Sequence, residues 1–76
     1  MFPIYFKYVN RSVYFKIIGE TEFEEVQVVG SKVFVHHTIA KQFPEKLFIQ
    51  DMIANEEGRY EKVDAQSYEQ VKNRNQ

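Results

Sequence analysis

The stretch EEVQVVGSKVFVHH, Glu24 to His37, sets two valine-rich runs on either side of Gly30-Ser31, and its reading decides the fold. Glycine at the first position of a two-residue loop is the signature of a type II′ hairpin turn, whose twist suits the strands it joins. Counting outward from that loop pairs Val29 with Lys32, Val28 with Val33, Gln27 with Phe34 and Val26 with Val35. The next pairs are Glu25 with His36 and Glu24 with His37. Side chains alternate along a strand, so Val26, Val28, Val33 and Val35 share one face.

Adjacent glutamates and histidines resemble the makings of a metal site, but the register separates them. His36 and His37 point to opposite faces, and the chain holds no other histidine. A zinc site takes three or four protein ligands. The expectation is therefore no metal and two structural cross-strand pairs, Glu25 with His36 and Glu24 with His37, each contributing about 0.2–1 kcal/mol to sheet pairing.

Upstream, FPIYFKYVNRSVYFKII is a pair of alternating runs around Asn10-Arg11. Asparagine tolerates the positive φ of a tight turn. That loop pairs Phe6 with Phe15, Lys7 with Tyr14, Tyr5 with Lys16 and Ile4 with Ile17. One face then carries Phe2, Ile4, Phe6, Tyr8, Val13, Phe15 and Ile17, and the other Tyr5, Lys7, Tyr14 and Lys16. Gly19 and the acidic run Glu20 to Glu22 read as the connection to the second hairpin.

Downstream, Phe48, Ile49, Met52 and Ile53 sit at helical spacing, with Pro44 and Glu45 suited to a first turn and Gly58 to the position past the end. This favours a helix over 44–57. A third hairpin, turning at ANEEGR and returning through YEKV, is the competing reading. RYEKV reads as a short strand, and Asp64 as the N-cap of a last helix with Tyr68 and Val71 on one face.

Composition excludes several classes of function. With no cysteine there is no disulfide, cysteine zinc site or thiol nucleophile, and a reducing, cytoplasmic setting is expected. No apolar run approaches the roughly 18 residues of a membrane span. Ten basic against eleven acidic residues give a net charge of −1, which argues against indiscriminate binding to nucleic acid or anionic lipid. Three scattered glycines make no phosphate loop, and no serine sits in a nucleophile elbow. An enzyme is not expected, nor a cofactor.

Both faces of each hairpin carry apolar residues. Phe23, Val29 and Phe34 lie opposite the valine cluster, and Val9 and Ile18 opposite the phenylalanine cluster. Sheets with one buried side alternate more cleanly. Helices, barrel closure or a second subunit must cover the excess. The expected architecture is one domain, 1–76, of the α+β class. It comprises a bent antiparallel meander sheet of four to five strands, with hairpins at about 2–18 and 23–39, a C-terminal helix and a helix at 44–57. The alternative is a small six-stranded β-barrel capped by the C-terminal helix. The expected function is a non-catalytic protein–protein interaction or structural module that self-associates, its partner a protein or a second copy. The alternative is single-stranded nucleic-acid binding through Tyr5, Lys7, Tyr14 and Lys16, with Arg11 at the tip, because exposed rings stack bases and cations meet phosphates.

Overall fold

The computed structural model describes residues 2–74. Its elements are β1 (Ile4–Tyr8), β2 (Val13–Gly19), β3 (Glu22–Val29), β4 (Lys32–Ile39), α1 (Phe43–Ala54), β5 (Tyr60–Lys62) and α2 (Ala65–Lys72). All five strands form one antiparallel sheet in the order β4-β3-β2-β1-β5. The class is α+β, as expected. The barrel is not formed, because β5 returns to the outer side of β1 and leaves β4 and β5 at opposite ends of an open sheet.

The hairpin at Gly30-Ser31 has the register counted from the sequence, from Val29 opposite Lys32 to Glu24 opposite His37, and extends to Glu22 opposite Ile39. Gly30 takes φ 61°, as the first loop position of a type II′ turn requires. In the first hairpin Ile4, Tyr5, Phe6 and Lys7 face Ile17, Lys16, Phe15 and Tyr14 as expected. Its loop, however, spans Val9 to Ser12, and Asn10 does not adopt positive φ. The reason lies in the neighbours. Val9 N–H donates to the Arg59 carbonyl at 3.0 Å, and the Ser12 carbonyl accepts from Val28 N–H at 2.9 Å, so the two residues bond outward to other segments. The connection between hairpins is also tighter than expected: Glu22 already lies in β3, and the register shifts between Ile17 and Gly19, leaving Ile18 as the extra residue of a bulge.

The helices cover opposite faces. Phe6, Val13, Phe15, Ile17 and Phe23 pack with Ile49 and Met52 of α1 and with Ala40. Val26, of opposite parity, packs with Tyr68 and Val71 of α2. This two-sided cover explains why neither hairpin alternates cleanly. The segment 44–57 is a helix and no third hairpin, but it starts at Phe43 and stops at Ala54. Asn55 takes the left-handed conformation, φ 50°, and its N–H donates to the Asp51 carbonyl at 2.8 Å. Asparagine visits that region readily, so the helix ends there rather than near Gly58. At the start of α1, Glu45 Oε1 accepts from the Lys41 and Gln42 N–H groups. Asp64 caps α2 by accepting from Ser67 N–H at 2.7 Å, and this bonding holds its carboxyl below the usual value. Among the described residues no helix is long and apolar enough to cross a membrane.

Candidate protein-interaction edge

The two edges of the sheet are β4 and β5, and an edge strand presents unpaired N–H and C=O groups to any extended chain that approaches. Which groups point outward follows from register. Across a two-residue loop, Val29 and Lys32 form a hydrogen-bonded pair, so even-numbered residues of β4 bond to β3 and odd-numbered ones turn away. The Ala40 N–H, bonded to the Thr21 carbonyl at 2.6 Å, keeps that parity past the end of the strand. Val35, His37 and Ile39 therefore carry outward backbone groups, with no backbone partner among the described residues.

Their side chains are equally open. Phe34 is 45% exposed, Val35 43% and Ile39 54%. The sequence assigns Val35 to the apolar face with Val26, but Val26 alone of the two is buried against Tyr68 and Val71, and Val35 stays exposed. β4 carries no carboxylate; Lys32, His36 and His37 are its only charged or titratable residues.

The opposite edge is short and partly covered. β5 has three residues, and the bonds of Val9 N–H to the Arg59 carbonyl and Val63 N–H to the Tyr5 carbonyl place residues 59, 61 and 63 toward β1. Tyr60 and Lys62 thus turn their backbones outward, and Asn55 occupies both groups of Tyr60: its amide donates to the Tyr60 carbonyl at 2.8 Å and accepts from Tyr60 N–H at 3.1 Å. One asparagine ends α1 and stands in for a sixth strand. Sequence reasoning missed this second role; only the turn-forming residue type was a signal.

The glutamate–histidine stretch is placed in register, but its side chains choose other partners. His37 Nε2 lies 2.5 Å from Glu22 Oε2, a diagonal neighbour on the same face. Glu24 accepts from the Tyr68 hydroxyl at 2.7 Å and pairs with Lys72 at 3.1 Å. Burial pushes the Glu24 carboxyl up, yet Tyr68, Lys72 and Lys16 together hold it below its ordinary value. Glu25 stands opposite His36 on the α1 face. Among the described residues no group of three histidine or acidic side chains is placed to hold a metal ion.

Tyr5, Lys7, Tyr14 and Lys16 are brought together on the α2 face and are half-buried. Lys16 lies over the Tyr5 ring and Lys7 over the Tyr14 ring, each 6.0 Å from the centroid, while Tyr5 packs on Tyr68 at 5.2 Å. Arg11 does not join them; it sits over Tyr8, on the α1 face, at 5.5 Å. A cleft of about 490 Å³ opens beside Tyr8 and Tyr60, bordered by Phe48, Asp51 and Asn55. The two tyrosine rings stack at 4.9 Å, and burial together with Tyr8 raises the Tyr60 hydroxyl to about 12. Arg59 and Glu57, at its rim, pair with each other.

Comparison of the chain with protein-family models, curated proteins and solved structures finds no match.

Proposed function

We propose that this chain is a non-catalytic interaction module that binds protein by accepting an extended strand at its β4 edge. One observation carries the reading: an eight-residue edge whose outward backbone groups at Val35, His37 and Ile39 lack backbone partners and whose flanking side chains are apolar and exposed. Strand addition draws affinity from main-chain hydrogen bonds and selectivity from alternate side chains on each face. Val35 and Ile39 would contact a partner strand on the α2 side, and Phe34 on the α1 side. The lack of cysteine suits work in a reducing, cytoplasmic setting.

The Tyr/Lys face supports nucleic-acid binding less well. Its lysines already lie over its own rings, and Tyr5 is engaged with Tyr68.

Selection from a library of displayed extended peptides tests the proposal, with bound peptides mapped by amide chemical shifts. Perturbations are expected at Val35, His37 and Ile39, and binding should be lost in Val35→Pro, which deletes an outward N–H while leaving the β3 ladder intact. Peptides that map to the Tyr/Lys face or to the Tyr8–Tyr60 cleft would overturn it.

A further inference from the structure

The geometry points to a second copy of this chain as the occupant of the β4 edge, paired antiparallel about a two-fold axis through His37. The inference rests on the edge reading above and names the partner. A partner strand must bring its own outward backbone groups, and β4 is this chain's long open edge, since β5 has three residues and Asn55 occupies the Tyr60 groups there. Pairing β4 with itself must be antiparallel when the two copies are related by a two-fold axis normal to the sheet.

The side chains select the register. Val35 and Ile39 lie two residues on either side of His37, point to the same face, and are both exposed, at 43% and 54%. Centring the axis on His37 sets Val35 of each copy against Ile39 of the other. Each exposed apolar side chain then covers the other. On the opposite face the same register sets His36 against Thr38 and Phe34 against Ala40, so the exposed Phe34 ring meets a small neighbour.

Charge agrees with this arrangement. β4 brings no carboxylate to the seam, and Lys32 falls at opposite ends of the paired strands. The two His37 rings meet across the axis, and each is already bonded to Glu22 of its own chain, which supplies a counter-charge on either side. The product is a continuous ten-stranded sheet whose ends are the two short β5 edges. The isologous contact uses the β4 edge of both copies, so this seam joins two copies and no more.

Sedimentation equilibrium from low micromolar to near-millimolar concentration, combined with amide exchange, tests the inference. The wild type should dimerise, with the Val35, His37 and Ile39 amides slowed as the dimer fills. Ile39→Lys should weaken association by about tenfold or more, because it sets an ammonium against Val35 at two symmetric places. Val35→Lys should do the same by the reciprocal contact, and both variants should keep the wild-type circular dichroism. A chain that stays monomeric throughout overturns the second-copy inference, whereas the displayed-peptide selection still decides whether the edge binds strands at all. A dimer that persists in both lysine variants, with fast-exchanging β4 amides, overturns the inference by placing the contact elsewhere.

Discussion

At the β5 edge, three residues long, the two outward backbone groups of Tyr60 are held by the single side chain of Asn55. At the β4 edge, eight residues long, Val35, His37 and Ile39 turn the same kinds of group outward with only exposed side chains around them. The difference teaches how a small sheet manages its ends. Edge strands are usually blunted by shortness, charge, proline or a covering element. β5 combines shortness with a side-chain cover, whereas β4 is long, apolar and free of proline. Of the two ends, β4 is therefore the one with the longer row of outward backbone groups.

The largest effect expected comes from opening the closed edge. Asn55→Ala removes two hydrogen bonds, each contributing about 1 kcal/mol, and forces alanine into the left-handed region at roughly 1–2 kcal/mol, for a total of about 3–4 kcal/mol. Urea denaturation measures the sum. Asn55→Gly separates its parts, because glycine accepts the φ of 50° but offers no amide to Tyr60. Tyr60 N–H should exchange faster in both variants. Wild-type exchange in both would mean that Asn55 does not close the edge.

A smaller loss is expected where α2 braces the strand next to β4. Tyr68→Phe deletes the hydroxyl that donates to Glu24 and leaves a mostly buried carboxylate with the lysines Lys72 and Lys16, at a cost of about 1–2 kcal/mol. The pH dependence follows from the lowered Glu24 carboxyl. A carboxyl that titrates lower in the folded chain contributes stability above its unfolded value, and that contribution fades as pH falls through the folded value. Stability should therefore drop on acidification below the ordinary carboxyl value of 4.5, and Glu24→Gln should drop less over the same window. Parallel acid curves for wild type and Glu24→Gln would remove the brace from the account of β4.

At the closed edge the sign reverses. The Tyr60 hydroxyl is raised from 10.0 to about 12, chiefly by burial and then by Tyr8, so the folded chain holds this proton more tightly than the unfolded one. Its contribution is fully present below pH 10 and is lost as pH climbs toward about 12. Alkaline melting of Tyr60→Phe should fall less steeply than wild type through that interval, and the slope that remains comes in both from Tyr68, whose hydroxyl burial and Glu24 also raise in the folded chain.

The open edge was the legible one. Its register follows from Gly30-Ser31 and a period of two, because local turn chemistry fixes every pair in the hairpin at once. Asp64 as a cap and the helical spacing of Ile49 and Met52 were equally local signals. The closed edge depends on contacts that no spacing announces. Asn55 reaches Tyr60 only after α1 has ended and the chain has turned, and β5 returns to β1 from some fifty residues away. Glu24 illustrates the same limit: its backbone faces His37 as counted, while its carboxylate serves Tyr68, 44 residues on. Backbone register is set by neighbours in sequence, and side-chain partners are set by which helix arrives above.

The smallest effect expected is the one that separates an open edge from a merely peripheral part of the core. Phe34 and Phe15 are the same residue type on the same face of the sheet, two strands apart, and α1 buries Phe15 to 1% while Phe34 remains 45% exposed. Phe34→Thr keeps β-propensity and removes the ring. If Phe34 packs on nothing but the edge of its own sheet, the unfolding free energy at low protein concentration should change by no more than about 0.5 kcal/mol. The same substitution should lower the stability gained on raising protein concentration, since association stabilises only what it covers. Denaturation curves at two concentrations read both quantities. A loss of several kcal/mol at low concentration would mean that the ring already belongs to the core, and the contrast between the two edges would then be one of length and backbone pairing alone.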